Sequence, residues 1–136
     1  MNRKSTAVWN GSGKEGGGHV TTQSNILSKT PYTWKSRFEE GNGTNPEELI
    51  AAAHAACFSM KLSFILGAAG FIPDSIETSS TVTIDNGTIT GSHLVTSVKA
   101  PGISKEKFAE CAAEAKLICP VSKALNMNIT LEASLV

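Results

Sequence analysis

No charge of either sign dominates this chain. Over 136 residues, 12 Lys and Arg balance 12 Asp and Glu. There is no basic stripe and no interleaving of basic with aromatic residues, so nucleic acid is not an expected partner. The first fifteen residues, MNRKSTAVWNGSGKE, hold no apolar run, which argues against a secretory leader. The least polar stretch, Leu49 to Phe71, is broken by His54, Ser59, Lys61 and Ser63. It reads as a buried helix and not as a membrane span. Cysteine is scarce and odd in number: Cys57, Cys111 and Cys119. Neither a CxxC nor an HxxxH spacing occurs, so no metal is expected. An odd count without a leader points to a reducing, cytoplasmic compartment. Any disulfide there is expected to be a catalytic intermediate and not a staple.

What is present suits one domain over residues 1–136, long enough to bury a core of its own. Ser5 to Trp9 reads as a short strand, followed by a flexible glycine-rich turn from Gly11 to Gly18. His19 to Leu27 and Tyr32 to Phe38 are rich in Thr, Val and aromatics and read as strands. Asn45, Pro46 and Glu48 then spell a helix start, with an N-cap, a proline at the first helical position and a capping-box spacing. This helix is expected to run to about Leu66, with Gly67 and Gly70 ending it. Ser75 to Ile84 and Thr88 to Lys99 flank Asp85-Asn86-Gly87, and Asn-Gly favours a type I′ hairpin. Ser104 caps a second helix with Phe108, Cys111, Ala112, Ala115 and Ile118 on one face. Cys119-Pro120 interrupts it, and Pro120 opens a short helical turn through Leu125. Met127, Ile129, Leu131, Ala133 and Leu135 alternate as a final strand. The class is α+β.

Few residues are candidates for chemistry. Cys57 lies among alanines, well past the first turn of its helix, where the helix dipole has faded. On that ground alone it is a packing cysteine, and a reactive thiolate there needs another cation. Arg37 is the best one available, because it is always charged and its fork can bind a thiolate together with a second acceptor. Without such a role it is a strand-end surface arginine. Cys119, before Pro120, stands at a helix N-terminus, where free N–H groups favour a thiolate. Electrostatics alone would make it the attacker. Cys111 sits on an apolar face and reads as core. Glu47 and Glu48, taken singly, are helix-capping acids. His54 shares a face with Cys57, while His19 and His93 are strand residues with no constellation around them.

The run RFEEGNGTNPEELIAAAHAACFSM, Arg37 to Met60, followed by LGAAGF and later by CPVSKAL, Cys119 to Leu125, resembles the osmotically inducible protein C family (OsmC). Its close relative is the organic hydroperoxide resistance family (Ohr). The resemblance covers essentially the whole chain. It implies antiparallel sheets around a long central helix that carries the first cysteine, in an intertwined homodimer. It also implies a stress-defence peroxidase that reduces organic hydroperoxides with a cysteine pair and no cofactor. Cys57 maps to the peroxidatic position and Cys119, in Cys-Pro, to the resolving one. The catalytic arginine of the OsmC branch maps to Arg37, and the glutamate after Asn-Pro to Glu47. In the Ohr branch the arginine sits in the loop after the first strand, which here is Gly16 to Gly18, so the sequence sides with the OsmC branch. The family's usual reductant is a dihydrolipoyl dithiol.

Glu47 and Cys57 stand ten residues apart. Within one helix, about 15 Å of axial rise separates them, and they turn away from a common face. A site using both is therefore expected to be shared between two chains. Two other functions fit the same residues. One is a non-enzymatic dimer that binds a small apolar ligand. The other is a redox sensor that oxidises but turns over slowly.

Overall fold

Local chemistry sets most element boundaries in the computed structural model, which describes residues 1–136. The class is α+β, with two three-stranded sheets and four helices. The chain divides into two compact units, Met1–Leu49 and Ile50–Val136.

In the first unit, β1 (Ser5–Asn10), β2 (Gly17–Thr22) and β3 (Thr30–Thr33) form an antiparallel sheet in that order. The glycine run is not all turn, because Gly17 and Gly18 already belong to β2. Gly18 pairs with Trp9, and a Cβ there would drive into the Val8 carbonyl. The expected strand from Tyr32 to Phe38 stops at Thr33, and α1 (Trp34–Phe38) begins. The Thr33 hydroxyl accepts from the Ser36 N–H at 3.1 Å, and the Ser36 hydroxyl accepts from the Thr33 N–H at 2.8 Å. This reciprocal capping box outweighs the strand preference of the aromatic residues around it. The helix α2 (Pro46–Ala68) starts where Asn45, Pro46 and Glu48 predict. Asn45 Oδ1 accepts from the Glu48 N–H at 2.8 Å. The Glu48 carboxylate accepts from the Thr44 hydroxyl at 3.2 Å instead of closing the box on Asn45.

In the second unit, α2 runs past Leu66 and through Gly67. It closes at Gly70, whose φ of +90° frees it for the left-handed cap. The Phe71 N–H reaches the Leu66 carbonyl at 2.9 Å and the Gly70 N–H reaches that of Gly67 at 3.0 Å. The strands β4 (Ser75–Asp85) and β5 (Thr88–Lys99) form the expected hairpin, with Asn86 and Gly87 at φ +47° and +76°. The helix α3 (Lys105–Ile118) is capped by Ser104, whose hydroxyl accepts from the Lys107 N–H at 3.2 Å. After α4 (Pro120–Ala124), β6 (Asn128–Leu135) lies beside β5 and runs parallel to it, from Gly91↔Asn128 to Val98↔Leu135. This pair departs from the expected antiparallel sheets. A parallel neighbour needs a crossover, and α3 with α4 supplies it.

The core joins Phe58, Leu62 and Leu66 of α2, Leu94 and Val98 of β5, and Phe108, Cys111, Ala112 and Ala115 of α3. His54, Phe58, Leu62 and Leu66 recur every four residues and are fully enclosed. Ala52, Ala56, Met60 and Phe64 face outward. The central helix is thus buried along one stripe only, not all round as its composition suggests. Ile118, expected on the inner face of α3, is exposed at its end.

Candidate active site

The structure brings the four residues singled out from the sequence together in two pairs, one in each unit. In the first unit, Arg37 of α1 meets Glu47, in the first turn of α2. Arg37 Nη2 donates to Glu47 Oε1 at 2.8 Å, and Nε lies 3.1 and 3.2 Å from the two carboxylate oxygens. Glu47 is buried, whereas the Arg37 side chain is 37% exposed. The carboxylate therefore fixes the plane of the guanidinium and leaves part of its fork free. The guanidinium also lies over the Phe38 ring, 5.1 Å from its centre. Beside it is a cavity of about 240 Å³ lined chiefly by Trp9, Tyr32, Trp34, Arg37, Phe38 and Pro46. The short helix α1, which the sequence did not predict, is what carries Arg37 to this wall.

In the second unit, Cys57 and Cys119 are both free thiols, close enough that each bears on the ionisation of the other. Burial pushes the Cys57 thiol up. The Val121 N–H and, more weakly, the Lys61 ammonium pull against this, while the neighbouring Cys119 adds to it. Lys61 is one turn along α2, a cation the sequence reading overlooked although its spacing of four is a plain signal. Burial also acts to raise Cys119. There the Ser122 N–H, the Cys57 thiol, the Ser122 hydroxyl and the Val121 N–H together outweigh it, and the thiol is lowered. Cys119 makes no close side-chain cap on α4, so these N–H groups act on its sulfur at longer range. Access runs the other way, since Cys57 is half-buried and Cys119 is fully enclosed. Cys111 is enclosed in the core and raised by burial, as a packing cysteine should be.

Sequence reasoning missed Ser122 as part of the site. It is the third residue of α4, within reach of the cysteine that caps that helix, and the Cys-Pro-x-Ser spacing is its only signal. The Ser122 hydroxyl bonds His54 Nε2 at 2.8 Å, and His54 Nδ1 bonds the Ser92 hydroxyl at 2.7 Å. His54 does share a helix with Cys57, but its ring turns into the core, and burial lowers its pKa. No three His, Cys, Asp or Glu side chains gather in a metal-binding group. His19 and His93 lie in β2 and β5.

The OsmC-like protein family model matches residues 39–134. The chain belongs to the OsmC-like protein family. It is 47% identical to peroxiredoxin OsmC of Escherichia coli, over 99% of this chain and 97% of that one. It is 32% identical to the organic hydroperoxide resistance protein OhrB of Bacillus subtilis, over 87% of this chain and 88% of that one. The crystal structure of the Bacillus subtilis OhrB superposes with a TM-score of 0.68 at 27% identity, covering 98% of each chain. An OsmC-like protein from Mycoplasma pneumoniae has the same fold, with a TM-score of 0.78 over 100% of this chain and 98% of that one at 14% identity.

Proposed function

We propose that this OsmC-family chain is a thiol peroxidase that reduces organic hydroperoxides, with Cys57 as the attacking thiolate and Cys119 as its resolving partner. The observation that carries the reading is the facing pair of free thiols, one accessible and one enclosed, in a family whose relatives are named peroxiredoxin and hydroperoxide resistance protein. The Cys57 thiolate attacks the terminal peroxide oxygen, the O–O bond breaks, and the alkoxide leaves as alcohol after taking a proton. Cys57 is left as a sulfenic acid. The Cys119 thiolate then attacks the Cys57 sulfur, an S–S bond forms and hydroxide leaves as water. An external dithiol, of the dihydrolipoyl type, reduces the disulfide by two exchanges and is itself oxidised to a disulfide.

The first attack needs a cation, because burial holds the Cys57 thiol up and Lys61 offsets only part of this. Arg37, oriented by Glu47, is suited to the task, and the free part of its fork can steady charge on the leaving oxygen. The helical rise between Glu47 and Cys57 argues that the two pairs serve each other between chains of a homodimer. The outer face of α2, with Met60 and Phe64 at 64% and 67% exposure, is an apolar surface that a second copy would cover. The aromatic walls of the Arg37 cavity favour alkyl hydroperoxides over hydrogen peroxide. The lowered Cys119 thiol supports one rival reading, in which Cys119 attacks first, but its enclosure opposes that.

Steady-state consumption of cumene hydroperoxide with a dithiol is the test. A thiol peroxidase turns over many equivalents. A redox sensor oxidises once and turns over slowly, and a ligand-binding dimer consumes none.

A further inference from the structure

Part of the wall of the cavity beside Arg37 is bare backbone. Gly13, in the turn that joins β1 to β2, lines it together with Trp9 of β1, Tyr32 of β3, and Trp34 and Phe38 of α1. The turn is tied to these aromatic walls on both sides of Gly13. Before it, the Ser12 carbonyl accepts from the Trp9 indole N–H at 3.2 Å and from the Gly16 N–H at 2.9 Å. The Trp9 ring in turn packs on Tyr32, with centres 5.1 Å apart. After it, the Lys14 ammonium lies over the Trp34 ring, 5.4 Å from its centre.

The glycines of this turn are not alike. Gly11 has a φ of +86°, and a Cβ at Gly16 would drive into the Ser12 and Asn10 carbonyls, so the backbone requires a glycine at both. Gly13 has no such reason. Its φ lies outside the left-handed region, and a Cβ there meets nothing within 4 Å. A side chain at this position would cost neither strain nor a clash, whereas a glycine costs extra chain entropy on folding. What its bareness leaves is room in a cavity of about 240 Å³.

We propose that Gly13 sets the size of the group this cavity admits, leaving room for bulky branched or aryl-substituted alkyl hydroperoxides. The inference rests on the reading of the chain as a hydroperoxide reductase with Arg37 at its site. With the peroxide oxygens on the free part of the Arg37 fork, the alkyl group lies against the aromatic walls and ends at the Gly13 backbone. Those contacts lend binding energy to the transition state, and hydrogen peroxide has no group to make them. A side chain at position 13 takes up the room that a bulky group needs and shifts the preference toward small peroxides.

The test is stopped-flow oxidation of the reduced full-length protein by hydrogen peroxide, tert-butyl hydroperoxide and cumene hydroperoxide. The proteins compared are the wild type, Gly13→Ala, Gly13→Val and Gly13→Leu. The preference for cumene hydroperoxide over hydrogen peroxide should fall in that order, by about tenfold at Gly13→Val, the scale of a small change of volume in an apolar pocket. The preference for tert-butyl hydroperoxide should fall less. A preference unchanged across the series, or rates lowered equally for all three peroxides, would overturn the proposal. The chain's two tryptophans, Trp9 and Trp34, both line the cavity, so their fluorescence reports its occupancy without turnover. Cumyl alcohol, the product of cumene hydroperoxide, should change that fluorescence in the wild type and bind about tenfold more weakly to Gly13→Val. If the wild type consumes no peroxide, this titration separates the two readings. Weakened binding in Gly13→Val would then sustain the size limit at Gly13 and defeat the peroxidase reading, whereas equal binding or none would overturn the size limit as well.

Discussion

Cys57 stands mid-helix in α2 with part of its surface open. Cys119 ends α3, opens α4 and is wholly enclosed. The same side chain is pushed up in the first seat and down in the second. A helix interior has already spent its N–H groups on its own carbonyls, so it offers a buried sulfur almost nothing. A helix start has unspent N–H groups, and here a hydroxyl as well. Access and ionisation are thus divided between the two thiols. In the proposed peroxidase the two must be reunited at Cys57, the task proposed for the guanidinium of Arg37.

The comparison breaks most completely when either sulfur is removed. Cys57→Ser should reduce hydroperoxide consumption to the uncatalysed background. Cys119→Ser should still consume the first equivalent, then leave Cys57 without a partner and open to sulfinic acid. Both follow from a peroxide assay with thiol counting after each equivalent.

Arg37→Ala should raise the Cys57 pKa further and slow the first attack by roughly 100-fold, the usual scale for losing one charge-stabilising group. Arg37→Lys should recover only part, since a point charge cannot replace the fork. The pH profile of Cys57 alkylation reads this directly, and an unchanged profile would remove Arg37 from the site. The pairing between chains is sharpened by complementation. Cys57→Ser and Glu47→Ala, co-expressed and isolated as a mixed dimer, contain one centre with both residues intact if the site is shared. Activity should return to about half that of the wild type, if the centres act independently. Activity no better than that of Glu47→Ala, itself first shown to be impaired and dimeric, would place the site within one chain.

The smallest expected effect is on stability. The His54 pKa is lowered from 6.5 by burial. Below that value the unfolded chain takes up the proton before the folded one does, so folding stability should fall as pH drops through the mid-6 range. Urea unfolding midpoints at pH 7.5 and about pH 5.5 would show it, and the part due to His54 should vanish in His54→Gln.

Much of the frame is legible because its signals are local. Asn45-Pro46, Asn86-Gly87 and Ser104 each fix a boundary through bonds to neighbours in the chain. The helix α1 was local too, but the aromatic residues around Thr33 and Ser36 read as strand and masked the cap. The parallel pairing of β6 was not legible, because alternation shows that one face of a strand is buried and is silent on its direction. At the site, Cys57, Cys119, Arg37 and Glu47 stand out by residue type and motif. Ser122 and His54 do not, because 68 residues separate partners that only the fold brings together. Their bond is a tertiary fact, and beyond the Cys-Pro-x-Ser spacing at Ser122 neither residue has an unusual neighbourhood in the sequence.

The central claim is the division of labour between the two thiols, with Cys57 first and Cys119 second. Mass spectrometry of the reduced Cys119→Ser protein, and in parallel of the reduced Cys57→Ser protein, after one equivalent of cumene hydroperoxide tests it most directly. The account predicts one added oxygen on Cys57 in the first protein and none on Cys119 in the second. Oxygen on Cys119 alone, with Cys57 untouched, would contradict it and reverse the roles.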